Sequence, residues 1–455
     1  MIIRNKKVLV IGAAVTGIPT VKQLHKMGAE IILNDFKKAE DIKDTLDQFA
    51  ELDIRFVGGG HPVELAEQCD FVVISPGVPT DIELVKKAKA LGKEVIGEIE
   101  LAYRLTSTPI AAITGTNGKT TTTALLGEIM KASGRNTYVT GNIGHAMISE
   151  VDNAKPEDIF VLEVSSFQLE STVDFKPQIS AILNITLDHL NRHKTMENYI
   201  DTKCKVFYNQ DKDGYTILNK DDPETAKLGE RVKSRLLKSK LLMFSRKEIL
   251  EEGAFVEDGS IVIVLDNKKS TIVHIDEIYI PGNHNVENAL AASLMAYCAG
   301  VAPEVIAGVL KEFKGVEHRI EFVMDRKGVY YYNDSKGTNP DASIKAIEAM
   351  RRPIVLIAGG MDKGSEFDEF VEAFGKKVKE LVLFGETAEK LEQTARKHHF
   401  RHIHRVHNLE EAVKKCHHLA KKGDCVLLSP ACASWDMFKN FEERGNMFKE
   451  YVEKL

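Results

Sequence analysis

Apolar runs of four to seven residues recur along this chain, most of them ending at a glycine, a serine or an acid. Val8–Ile11 reads as a buried strand, followed by Gly12-Ala13-Ala14-Val15-Thr16-Gly17 and a helix through Met27. A second strand, Glu30–Asn34, ends at Asp35, and a third, Phe71–Ile74, ends at Ser75-Pro76-Gly77. This alternation predicts a doubly wound, Rossmann-like unit whose ligands sit at the carboxyl ends of the strands. The glycine fingerprint is incomplete, because Ala14 stands where its middle glycine would be. Further on, Pro109–Ile113, Ile159–Ser165 and Ile179–Ile185 read as strands, and Thr120–Met130 as an amphipathic helix. The last third repeats the alternation with strands at Tyr330–Asn333, Pro353–Ala358, Leu381–Phe384 and Cys425–Ser429. The pattern predicts an α/β chain of three domains: a Rossmann-like unit over 1–107, a central phosphate-loop ATPase-like unit over 108–316, and a Rossmann-like unit over 317–455. Three binding surfaces meeting at one cleft are expected.

Composition fits that picture. The 455 residues suffice for about three domains with proper cores. Charged residues make up 28% and the net charge is −6, so no basic footprint for nucleic acid is expected. Six cysteines without metal-ligand spacing suit reduced thiols in a cytoplasm. No export signal is read, since Val8–Ile11 runs straight into a glycine turn. The longest apolar stretch, Ala289–Ala302, is too short for a bilayer and reads as a buried helix.

Candidate chemistry centres on Gly115-Thr116-Asn117-Gly118-Lys119-Thr120-Thr121, between a buried strand and a helix start. Such a turn gathers backbone N–H groups at the positive end of a helix, where phosphates bind. Lys119 adds a full charge, and the Thr120 hydroxyl suits a magnesium ion on a nucleoside triphosphate. Only two residues separate Gly115 and Gly118, fewer than the usual four, which argues against an ordinary GTPase or motor ATPase. Glu163 is the one acid in an apolar strand, and Asp188-His189 follows the next; each is either a satisfied polar residue or a metal ligand. Met196, Ile200, Lys203 and Phe207 share one helical stripe. A lysine there must snorkel, pair with an acid, shift its pKa or be chemically modified. His398, His399, His402, His404 and His407 cluster without a zinc-type ligand pattern and read as a solvated patch, with His402 and His404 on one strand face.

Taken together, the phosphate loop, Glu163-Val164-Ser165-Ser166-Phe167-Gln168-Leu169-Glu170, Asp188-His189-Leu190, His284-Asn285-Val286-Glu287-Asn288, His318-Arg319 and Asp334-Ser335-Lys336-Gly337-Thr338-Asn339 resemble the motifs of the Mur ligases, in order and over almost the whole chain. The run Leu428 to Gly445 resembles the D-glutamate-adding branch. The resemblance implies an ATP-dependent amide ligase of peptidoglycan precursor synthesis. ATP would activate the carboxylate of UDP-N-acetylmuramoyl-L-alanine as an acyl phosphate, which the amine of D-glutamate captures. It implies ATP, magnesium ions (two) and carbon dioxide for lysine carbamylation. The partners would be small molecules, with no nucleic acid and no membrane insertion, and the enzyme a cytoplasmic monomer.

By the same resemblance, Lys119, Glu163, His189, Lys203, His318 and Lys336 match catalytic positions. Thr120, Glu163, His189 and Lys203, the last as a carbamate, match metal positions. Gly115 to Thr121, Asn288, Arg319 and Asp334 match ATP contacts. Thr16, Asp35, Ser75, Gly77, Asn142 and Ser165 match the UDP-substrate site, and Thr338, Lys363, Ser434 and Phe441 match D-glutamate contacts. Trp435 stands where the family usually has leucine or phenylalanine. From the residues alone, Asp35 suits a ribose contact in a dinucleotide enzyme equally well. The alternatives are a folylpolyglutamate synthase-like ligase, which the C-terminal run disfavours, a nicotinamide-dependent oxidoreductase, which leaves the phosphate loop without a task, and a non-catalytic nucleotide sensor.

Overall fold

The structure, a computed structural model, describes residues 1–233, 238–362 and 364–455. Lys363 lies outside the described residues. Three sheets carry the chain. The first contains β1 (Lys7–Ile11), β2 (Glu30–Asn34), β3 (Ile54–Val57), β4 (Phe71–Ile74) and β5 (Glu94–Gly97), all parallel, in the order β3-β2-β1-β4-β5. The order reverses between β1 and β4, so Gly12 and Ser75 flank the crevice where such sheets bind ligands. An added Cβ on Gly17 would sit 2.0 Å from the Gly12 carbonyl oxygen, so the helix Gly17–Lys26 can approach β1 only with glycine there.

The second sheet holds β6 (Ile110–Thr114), β7 (Thr137–Gly141), β8 (Ile159–Glu163), β9 (Ile179–Ile182), β10 (Tyr215–Asn219), β11 (Lys240–Ser245), β12 (Gly253–Glu257), β13 (Ser260–Leu265) and β14 (Lys268–His274). Its order is β14-β13-β12-β11-β10-β9-β6-β8-β7, antiparallel only along β12-β13-β14. The third holds β15 (Glu321–Arg326), β16 (Val329–Asn333), β17 (Ile354–Ala358), β18 (Val378–Leu383), β19 (Ile403–Arg405) and β20 (Cys425–Leu428), in the order β15-β16-β20-β17-β18-β19. Only its β15-β16 hairpin is antiparallel. The near-continuous apolar strands fit sheets covered on both faces.

The chain packs as two compact units, Met1–Ile275 with Asn288–Leu310, and Asp276–Glu287 with Lys311–Leu455. The first two sheets merge into one unit because a single core runs from Val8, Val10 and Leu33 to Ile110, Phe160 and Leu218. The boundary falls inside the helix Asn283–Cys298.

Several elements stop short of their predicted ends. β8 ends at Glu163 because Ser165 caps the next helix, its Oγ accepting from the Gln168 N–H at 3.3 Å. β9 ends at Ile182, freeing Asn184 for the phosphate loop. The helix carrying Lys203 is Met196–Cys204, and Phe207 is buried in the turn beyond it. The helix after the phosphate loop is Lys119–Ala132 and is buried on most faces, its four threonines included, rather than amphipathic. The predicted helix at Ala289–Ala302 is instead Asn283–Cys298. Among the described residues, no helix is long and apolar enough to cross a membrane.

Candidate active site

The phosphate loop joins β6 to the helix Lys119–Ala132, with Gly118 as N-cap at a left-handed φ of +84°. An added Cβ on Gly118 would lie 2.4 Å from the Asn288 Oδ1, so the loop closes against Asn288 only with glycine at this position. That same Oδ1 accepts from the Thr122 hydroxyl at 3.2 Å. Asn184, which the sequence reading missed, pins the loop: its Oδ1 accepts from the Asn117 N–H at 2.8 Å and its carbonyl from the Thr116 N–H at 2.9 Å. A polar residue near the end of the mostly apolar run Ile179–Ile185 was the available signal. Tyr199, also missed, places its hydroxyl 3.2 Å from the Thr116 Oγ1.

Two lysines converge on one carbonyl. The Lys119 Nζ donates to the Gly115 and Thr116 oxygens at 2.8 Å each, and the Lys203 Nζ donates to the Gly115 oxygen at 2.9 Å. Lys203 is only 1% exposed and lies 4.6 Å over the Tyr199 ring. Burial, reinforced by the Lys119 charge, pushes its pKa well below the usual lysine range, with Asp188 opposing. Of the outcomes open in the sequence, this is the shifted pKa.

Glu163 closes β8 beside Ile113 of β6. Its Oε1 accepts from the Asn142 side chain at 3.0 Å, while its Oε2 is buried with no hydrogen-bond partner, as is the Thr121 Oγ1. A buried carboxylate oxygen without a donor is costly unless a cation meets it, so the donors here fit a hard divalent ion. His189 follows β9 in a left-handed conformation, φ +53°, with its ring exposed and centred 4.8 Å from Phe167. Arg192 braces this region: it pairs with Glu170 at 2.7 Å, covers Phe167 at 5.1 Å and donates to the Val78 oxygen at 2.9 Å. That last bond ties the loop after β4 to the loop after β9.

At the first sheet, the Asp35 Oδ2 accepts from the Ala13 N–H at 2.7 Å and its Oδ1 from the Lys37 N–H at 2.9 Å. The Ser75 hydroxyl donates to the Gly12 oxygen at 3.0 Å and lies 3.5 Å from that of Thr16. Gly77 is exposed and meets nothing on the side a Cβ would take. Asn142 borders the Glu163 strand end through the bond given above, and Ser165 lies two residues beyond it as the cap of the next helix.

In the second unit, His318 and Ile320 both adopt positive φ, +63° and +47°, on either side of Arg319, whose Nε is buried without a partner. The His318 Nδ1 lies 3.0 Å from the Asn333 amide nitrogen, and burial lowers the His318 pKa. The Asp334 Oδ2 accepts from the Ser429 hydroxyl at 2.7 Å and its Oδ1 from the Ile320 N–H at 3.2 Å. Burial pushes Asp334 up to about 7 despite Ser429 and Arg319. The Lys336 Nζ lies 5.4 Å over the Phe441 ring, and the Thr338 N–H donates to the Lys336 oxygen at 2.9 Å. Ser434 is buried, while its neighbour Trp435 is 61% exposed. The histidine patch is met by acids: His404 and His402 both face Glu380, at 2.8 and 3.6 Å, and His398 meets Asp368 at 2.8 Å.

Known proteins match this chain along its whole length. Residues 6–97 match the model of the MurD-like N-terminal domain of Mur ligases, 113–296 that of the Mur ligase middle domain, and 318–432 that of the Mur ligase glutamate ligase domain. The UDP-N-acetylmuramoylalanine–D-glutamate ligase of Thermoanaerobacter pseudethanolicus is 56% identical, over 100% of both chains. That of Clostridioides difficile is 49% identical, also over 100% of both. Among solved structures, the UDP-N-acetylmuramate-alanine ligase MurC of Thermotoga maritima superposes with a TM-score of 0.60 at 18% identity, covering 99% of this chain and 100% of that one. MurF of Acinetobacter baumannii gives a TM-score of 0.61 at 17% identity, covering 98% and 93%. These two show a shared fold. Three matched domains and full-length relatives at 49% and 56% identity establish that the chain belongs to the Mur ligase family.

Proposed function

We infer that this chain is an ATP-dependent ligase that joins D-glutamate to the alanyl carboxylate of UDP-N-acetylmuramoyl-L-alanine, in peptidoglycan precursor synthesis. The full-length 56% identity to a ligase of that name carries the reading. Neither a folylpolyglutamate synthase-like ligase nor a nicotinamide-dependent oxidoreductase accounts for it. Domain boundaries near 107 and 316 fit the segments that the family models match.

The chemistry explains the residues. A carboxylate approaching the γ-phosphate of ATP brings two anions together, so cations must screen the encounter and stabilise the transferring phosphoryl. Gly115 to Thr121 cradle the triphosphate, Lys119 supplies fixed positive charge, and Asn288, Arg319 and Asp334 complete the ATP contacts. Thr120, Glu163, His189 and Lys203 would hold two magnesium ions. Those ions, when bound, neutralise phosphate charge and polarise the transferring group. Lys203 reaches this role by adding its neutral Nζ to carbon dioxide, forming an N–C bond and losing a proton. The product is an anionic carbamate with two oxygens in place of a donor-only ammonium. His318 and Lys336 match the family positions that would serve the transferring phosphoryl. The acyl phosphate then loses phosphate as the D-glutamate amine attacks its carbonyl carbon.

Thr16, Asp35, Ser75, Gly77, Asn142 and Ser165 hold the nucleotide sugar, and Thr338, Lys363, Ser434 and Phe441 hold D-glutamate. The six free cysteines and the use of ATP suit a cytoplasmic enzyme, and we place it there as a monomer. Mass spectrometry of the nucleotide-sugar product tests the reading. One glutamyl residue is added with D-glutamate and none with L-glutamate; addition of L-glutamate, or none at all, overturns it.

A further inference from the structure

The helix Phe441–Glu453 opens with Phe441-Glu442-Glu443-Arg444-Gly445. In the fold Arg444 is 0% exposed. Its guanidinium meets carbonyls and one hydroxyl rather than a carboxylate. The Nε donates to the Ser335 Oγ at 3.0 Å, and the Nη2 to the Ser335 and Cys432 oxygens at 2.8 and 3.2 Å. The Nη1 donates to the Cys432 and Ala433 oxygens at 3.2 and 3.3 Å. Ala433 is also bridged to the loop after β17, because its carbonyl accepts from the Met361 N–H at 3.0 Å. Gly360 leaves the room: a Cβ there would lie 2.2 Å from the Ala433 oxygen. Ser335 in turn donates its hydroxyl to the Phe441 oxygen at 2.8 Å. A buried cation without a carboxylate partner is a poor stabiliser, and an apolar side chain of like volume would fill the space at lower cost. Burial pushes this guanidinium down to about 10.

We propose that Arg444 is the positioning residue of the amino-acid subsite. Its planar fork fastens the loop after β16 to the loop after β20, which also holds the loop after β17 through Met361, and so sets Thr338, Ser434 and Phe441 around the two carboxylates of D-glutamate. The inference rests on the ligase reading above. Lysine cannot replace the fork, since an ammonium offers three donors from a single atom while guanidinium offers five in one plane.

Steady-state kinetics of Arg444→Lys and Ser335→Ala, varying each substrate in turn, tests it. Arg444→Lys raises the KM for D-glutamate ~10-fold or more, leaves the KM for ATP and for the nucleotide sugar within about twofold, and lowers kcat less than it raises that KM. Ser335→Ala, which removes one acceptor and keeps the guanidinium, moves the same constant by about two- to fivefold. An unchanged KM for D-glutamate in both variants overturns the proposal. So does an equal rise in all three KM values together with a fall in Tm, the signature of a merely structural residue. Should Arg444→Lys fail to fold, Ser335→Ala decides alone. A wild-type enzyme that ignores D-glutamate instead defeats the ligase reading itself.

Discussion

Lys203 holds a position that an unmodified ammonium would make expensive, buried beside a second lysine and sharing the Gly115 carbonyl with it. The carbamate account predicts that Lys203→Ala lowers amide formation by ~100-fold or more, with partial recovery on adding a short-chain carboxylate that restores the missing anion. Full activity of wild-type enzyme refolded without bicarbonate and carbon dioxide would count against it. Asp334 gives a pH test. Its folded pKa is raised from 3.8 to about 7, so the folded state binds more protons than the unfolded state across that window. Stability is therefore lost as pH rises from about 4 to about 7, by ~1.4 kcal/mol per pH unit at most. Asp334→Asn removes this titration, so its Tm relative to wild type is more favourable at pH 8 than at pH 5; a pH-independent difference would refute the assignment. Lys203 was legible in the sequence because a charge interrupts an apolar stripe. Arg444 was not singled out, because the carbonyls and hydroxyl that hold it come from Ser335, Cys432 and Ala433, which only the fold brings to it.

Strand-loop-helix junctions place most of the candidate residues, and they were the most legible elements. β2 and β4 match their predicted spans, and the phosphate loop lies where its glycines put it. Ends were read less well wherever a side chain outcompeted the strand, as Ser165 does in capping the next helix. The antiparallel strands β12, β13, β14 and β15 were unread, since edge strands carry weak periodicity and their pairing partners are set by the turns, although β16, the partner of β15, was read at Tyr330–Asn333. At this scale Gly118→Ala is the sharp test. It forces a Cβ onto a left-handed residue, costing ~1–2 kcal/mol, and drives it against the Asn288 side chain. ATP affinity falls ~10-fold or more while nucleotide-sugar binding, measured by calorimetry, is retained. Equal loss of both would mean that the loop supports the fold rather than the triphosphate.

For the whole molecule, the three sheet-bearing domains foreseen in the sequence match three family-domain segments; what alternating strands do not reveal is that the first two sheets share one core and pack as one compact unit. An acyl phosphate would be lost to water unless the amine reached it promptly, so the reaction calls for closure around bound substrates. Small-angle scattering should record a smaller radius of gyration with ATP analogue, nucleotide sugar and D-glutamate together than without ligand; identical curves would exclude such closure. The most direct test of the central claim is phosphate release from ATP, measured across nucleotide-sugar and amino-acid combinations with D- and L-glutamate. Release that requires both UDP-N-acetylmuramoyl-L-alanine and D-glutamate is the predicted result. Release independent of either substrate, or none when both are present, would contradict the account.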